Sequence, residues 1–215
     1  MSDRIERKRQ PSGDDARERA MRAAIAAIAE KGGPGGVRMA DIAARAGMST
    51  GHILYHFGRK DRLLLEVLAW SEADLGARFE EAAAGAPSST GKLALFVRYY
   101  LPRQQGDERY GLWTHMFARP QDEASRQLLT DLSDTWDARL EAVVREGQAG
   151  GEFTTAVDPA DFTVRAVAML NGLSGDVMFG RPRWLDASAD AFALAAFERE
   201  LRPDQPDRPP SSPAA

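Results

Sequence analysis

The sequence predicts an all-α protein, and three observations carry that expectation. No stretch alternates apolar and polar residues or concentrates β-branched side chains as a strand would. Apolar residues recur at helical spacing instead, as in Met21, Ile25 and Ile28 or Leu64, Val67, Leu68 and Leu75. Between such runs stand strong breakers, Gly32-Gly33-Pro34-Gly35-Gly36 and Gly150-Gly151 above all. The expected architecture is an N-terminal three-helix domain with a helix-turn-helix over residues 14–74, then a larger helical domain over residues 75–202.

Residues 1–13 are polar and carry Arg7-Lys8-Arg9. They read either as a solvated, disordered tail or as a basic arm that adds phosphate or minor-groove contacts. A long helix then starts at Asp14 and stops at the glycine-proline run. In the next segment Ile42, Ala43 and Ala46 put one apolar stripe on a short helix, and Gly47 stands where a helix end needs a left-handed residue. Arg38 occupies its cap position, where a Ser or Thr is the ordinary choice.

Ser49 is a ready N-cap for the following helix, whose buried side is expected from Ile53, Leu54 and Phe57. Helix, short glycine-containing turn, helix is the helix-turn-helix arrangement, whose second helix enters the DNA major groove by its N-terminal residues. Thr50, Gly51, His52, Tyr55 and His56 are free to face outward. Hydroxyl, imidazole and phenol groups contact base edges or phosphates, and a glycine lets the backbone come close to a groove. Lys60 follows beside Asp61, where an ammonium and helix N-terminal amides suit a phosphate oxygen, and Arg38 adds a further cation. The expected DNA-binding set is therefore Arg38, Thr50, Gly51, His52, Tyr55, His56 and Lys60.

From Asp61 one helix continues through Leu64, Val67, Leu68, Trp70 and Leu75 toward Gly85, too long to serve the N-terminal domain alone. Further helices are expected through Leu93 to Tyr100, around Leu112 to Phe117, and from Asp122 to Gln148. Asp158-Pro159 caps one running to Val177, and Ala187 to Leu201 forms the last. The proline-rich residues 203–215 should be disordered.

Charge is unevenly distributed. The whole chain carries a formal −4, yet residues 1–62 hold 13 Lys/Arg against 8 Asp/Glu, +5, which leaves −9 for the remainder. A basic end on an acidic body fits a molecule that meets phosphate at one end only. The 215 residues contain no cysteine, which excludes disulfides, thiolate metal sites and cysteine nucleophiles. No apolar run approaches membrane-spanning length and no signal-peptide pattern is present, so a cytoplasmic protein without a membrane partner is expected.

The run Asp41-Ile42-Ala43, Ala46-Gly47-Met48-Ser49, Tyr55-His56-Phe57 and Lys60-Asp61-Arg62-Leu63-Leu64 resembles the DNA-binding domain of the TetR family of transcriptional repressors. Ser49-Thr50-Gly51 with His56-Phe57-Gly58 and Lys60-Asp61 is most similar to the BetI-like subgroup, named for a choline-responsive repressor. Leu54 stands where many members have a tyrosine. The resemblance implies a ligand-binding and dimerisation domain after the DNA-binding one, a double-stranded operator with two half-sites, and a homodimer formed by the last two helices. It also implies a small-molecule inducer, hydrophobic or cationic, held near Trp113, Met116, Phe117, Trp136, Asn171 and Asp176; plain core packing is the alternative for the aromatics. A DNA-associated architectural or interaction protein without an inducer is the alternative function.

An enzyme is not expected, and no cofactor or catalytic residue is assigned. The chain has only His52, His56 and His115. His52 and His56 stand at i and i+4, a spacing that can ligate metal, but the Glu of a zinc-protease signature is missing, so no metal site is expected there. Neither a Gly-x-Ser-x-Gly elbow nor a phosphate-binding glycine loop is present.

Overall fold

The computed structural model describes residues 13–184 and 188–203. The expectations for the basic arm, for the C-terminal tail and for Ala187 as the start of the last helix lie outside the described residues. Among those residues the chain is all-helical: α1 (Gly13–Lys31), α2 (Met39–Ala46), α3 (Thr50–Phe57), α4 (Lys60–Ala84), α5 (Ser89–Tyr100), α6 (Glu108–Phe117), α7 (Glu123–Ala149), α8 (Pro159–Met178) and α9 (Ser188–Glu200). No helix is long and apolar enough to cross a membrane among the residues described.

The chain divides into two compact units, Met1–Ser71 with Glu108–Gln121 and Glu72–Asp107 with Asp122–Ala215. In the first, α1 packs on α2, and α2 on α3. Ala20, Ala24, Ile28, Ile42, Ile53, Leu63 and Leu64 are wholly buried there. Small alanines on α1 let the short helices come close, and burial of the larger groups at roughly 1.5–3 kcal/mol per side chain holds the unit together.

One assignment differs from the expected domain division: α6 belongs to the N-terminal unit. It packs on α1 and on the 3-10 turn Pro34–Gly36, and Arg119 just beyond it binds Asp61 at 3.1 Å. Sequence position alone could not show this, because the chain leaves the first unit at α4 and returns to it.

In the second unit α5 packs on α7 and α9, and α8 lies against α7 and α9. The core is built from Phe79, Phe96, Trp136, Leu140, Phe162, Leu170 and Phe197. Asp122 and Asp158 cap α7 and α8 with their carboxylates, the latter followed by Pro159 at the first turn as its sequence requires.

Candidate nucleic-acid interface

The outward face of α3 is set by what holds its inner face. Ile53 is fully buried and Phe57 is 3% exposed. Ser49 caps the helix by accepting the His52 backbone N–H at 3.1 Å. Arg17 of α1 lies over the Phe57 ring, pairs with Glu66 of α4, and donates to the His56 carbonyl. A single guanidinium thus ties three helices behind the presented face.

Leu54 departs from expectation. It is 43% exposed, not buried, because on so short a helix Ile53 and Phe57 at i and i+4 already fill the contact with α2, and Leu54 is turned about 100° away from Ile53. Sequence reasoning therefore missed an apolar group on the presented face, of a type suited to a thymine methyl.

Tyr55 is 85% exposed, and Thr50, Gly51 and His52 are exposed beside it. A Cβ at Gly51 would meet nothing nearer than Ser49 Oγ at 3.9 Å, so no contact within the chain demands glycine there. His56 is half-buried, and its Nε2 lies 3.1 Å from Nε2 of His52.

Arg38 and Lys60 are both engaged within the protein. Asp41 accepts from the Arg38 backbone N–H at 2.9 Å and from its guanidinium at 3.1 Å. The carboxylate satisfies the Arg38 N–H as the reciprocal half of a capping box, while the arginine side chain, a donor only, cannot accept from the first-turn amides. The Arg38 guanidinium holds the Asp41 carboxyl below its ordinary range. Most of the Arg38 side chain nevertheless remains exposed. The Lys60 ammonium donates to the carbonyls of Val37 at 3.0 Å and Pro34 at 3.3 Å, and so tethers the start of α4 to the glycine-proline turn. Next to it, burial pushes the His115 imidazole below its ordinary value, aided by Arg119 and Lys60 and opposed by Asp61.

The residues expected around a ligand fall in different units. Trp113, Met116 and Phe117 lie on α6 in the first. There Trp113 stacks on Phe117 with ring centroids 5.3 Å apart, Met116 is fully buried, and Phe117 is 67% exposed.

Trp136 and Asn171 lie in the second unit and meet through Tyr100, whose hydroxyl donates to Asn171 Oδ1 at 3.0 Å while its ring packs edge-on against the indole. Asp176 stands apart, accepting from Trp184 Nε1 at 3.0 Å and pairing with Arg181. The residue that sequence reasoning missed is Glu72: only 3% exposed, it accepts the Trp136 indole N–H at 2.7 Å. Its position was readable, since Leu68, Glu72, Leu75 and Phe79 run along one helical stripe interrupted by a carboxylate.

Residues 89–202 match the family described as BetI-type transcriptional repressor, C-terminal, and residues 21–67 match bacterial regulatory proteins of the tetR family. No curated protein matches the chain. Among solved structures, a protein from Rhodococcus sp. described as a TetR-family regulator is similar at 25% identity, over 86% of this chain and 98% of that one, with a TM-score of 0.69. A transcriptional regulator from Saccharomonospora viridis, solved in complex with choline, is similar at 24% identity over 86% and 95%, with a TM-score of 0.72. FadR from Bacillus subtilis, solved with stearoyl-CoA, shares 20% identity over 86% and 97%, with a TM-score of 0.67.

Proposed function

Because the chain belongs to the TetR family of bacterial transcriptional regulators and carries a BetI-type C-terminal region, we propose that it is a repressor released from a pseudo-palindromic operator by a small-molecule inducer. The observation that carries the DNA half of this reading is the face of α3, where Thr50, Gly51, His52 and Tyr55 are exposed around the buried anchors Ile53 and Phe57. Thr50, His52 and Tyr55 read bases or near-base positions, with Gly51 allowing close approach. Lys60, His56 and Arg38 contact phosphate, Lys60 by redirecting an ammonium that now faces backbone carbonyls.

Two chains act together. One eight-residue helix makes too few base contacts for a specific site, whereas two related by a twofold axis read half-sites about 34–36 Å apart. The last two helices supply the contact between copies, Val164 of α8 and Phe192 of α9 being large apolar groups exposed on the single chain.

The inducer is a small cation bound in the second unit beside Glu72, Trp136 and Tyr100. A buried carboxylate bonded to an indole that itself packs on Tyr100 supplies charge neutralisation and cation–π attraction together, and a structurally similar regulator was solved with choline. Asn171 and Asp176, which lie in the same unit, are secondary candidates for this site. Ligand shifts the chain toward a conformation that no longer fits successive grooves, and by linkage operator DNA weakens ligand binding by the same factor. The helix α4 has residues in both units.

The test is mobility-shift titration at several salt concentrations. Lys60→Ala weakens binding to all duplexes alike and flattens the salt dependence, while His52→Ala changes the preference among operators. Equal losses on cognate and random DNA for both variants would overturn the division of roles. Choline and related quaternary amines should raise the melting temperature with concentration. A protein that binds DNA but shows no such rise with any small molecule is the architectural alternative.

A further inference from the structure

We propose that the recognition helix carries a chelating site for one late first-row transition-metal ion, formed by Nε2 of His52 and Nε2 of His56. The two atoms are 3.1 Å apart and face each other across one helical turn. With metal–nitrogen bonds of about 2.0–2.1 Å, nitrogens 3.1 Å apart subtend about 95–102° at the ion, between the ligand angles of octahedral and tetrahedral coordination. The donor separation matches the chelate, and each ring turns to aim its lone pair at the ion instead of at the other nitrogen.

The sequence expectation was of no metal there. That expectation rested on a missing protease glutamate, which is required for hydrolysis and not for chelation. In the metal-free pair one Nε2–H donates to the other Nε2, which requires opposite tautomers. Replacing that proton by an ion requires only that both rings carry hydrogen on Nδ1. Imidazole donors select Cu²⁺, Ni²⁺ and Zn²⁺ over Mg²⁺ and Ca²⁺. Among the described residues no cluster of three or more His, Asp or Glu could hold a metal, so water completes the shell. Such a site is exchangeable and not a permanent structural centre.

The position gives the site a consequence. A hydrated ion on His52 and His56 fills the space that Thr50, His52 and Tyr55 need to reach base edges, so metal and operator exclude each other. Only this consequence rests on the repressor reading; chelation itself does not.

Isothermal titration of the full chain with Ni²⁺ and with Zn²⁺ should give one ion per chain. His52→Ala and His56→Ala should each lower the affinity at least tenfold, and the double variant should lose no more than either single one. His115→Ala should leave the stoichiometry unchanged. A melting-temperature rise with Ni²⁺ in the wild type that disappears in both single variants gives a readout independent of DNA. Unchanged affinity in either variant, or independent additive losses, would overturn chelation. In mobility-shift assays Ni²⁺ should release operator DNA and a chelator should restore it; metal binding that leaves operator affinity unchanged would overturn the exclusion while leaving the repressor reading intact.

Discussion

Glu72 Oε2 accepts the Trp136 indole N–H at 2.7 Å in the interior of the second unit, joining α4 to α7. Arg139 lies over the same indole at 5.0 Å from its centroid and binds Glu80, about two helical turns farther along α4. A buried carboxylate with a specific donor is a structural tie, and the proposed function makes it the partner of the cation. Trp136→Phe should destabilise the protein by about 1–3 kcal/mol, the cost of removing a partner from a buried polar group. Glu72→Gln keeps an acceptor oxygen and the volume, so its loss should be smaller, yet it should abolish the melting-temperature rise with choline. A response to choline undiminished in Glu72→Gln would place the cation elsewhere.

Gly51 has no contact that requires it, since a Cβ there would meet only Ser49 Oγ at an ordinary 3.9 Å. Gly51→Ala should therefore stabilise the folded chain by about 0.5 kcal/mol, since helical glycine costs roughly 0.5–1 kcal/mol relative to alanine. Operator affinity should fall at the same time. Chemical denaturation and mobility-shift assays on one preparation would show the opposite signs, and a stabilised variant with full affinity would remove Gly51 from the interface.

Gly147 is required for packing. A Cβ there would stand 2.1 Å from the Phe153 ring, which lies against α7 where the chain turns back toward α8. Gly147→Ala forces that ring out of the core and should cost about 1–3 kcal/mol. Urea unfolding should show a lower midpoint, and Phe153→Ala in the same background should recover part of the overpacking strain.

His115 should make the protein less stable in mild acid. Burial lowers its folded value below the ordinary 6.5, so between the two values the unfolded chain binds a proton that the folded one does not. The stability this group contributes is complete above the ordinary value and is lost as pH falls through it toward the folded value. Melting curves between pH 7.5 and about 5 should show a steeper decline in the wild type than in His115→Gln.

Much of this was legible along the chain. Helix spacing, the glycine-proline breakers and the Ser49 and Asp158 caps are local physics, and the structure forms its helices between them. The polar face of α3 was legible for the same reason, because Ile53 and Phe57 at i and i+4 determine which way Tyr55 must point. Leu54 was not, since whether a flanking apolar residue is buried depends on how much room the facing helix leaves.

Sequence by itself determined that the protein is helical, that a short polar-faced helix stands after a capped turn, and that positive charge gathers at that end. These are matters of neighbouring residues and of composition. Only the tertiary structure decided that α6 belongs with the N-terminal unit, that Lys60 faces the carbonyls of Val37 and Pro34, and that Glu72 is buried against Trp136. Each depends on residues far apart in the chain meeting in space, and no periodicity encodes which distant surface a side chain will find. The facing of His52 toward His56 lies between the two: the turn of the helix made it possible, and the rotamers of the folded chain made it a 3.1 Å pair.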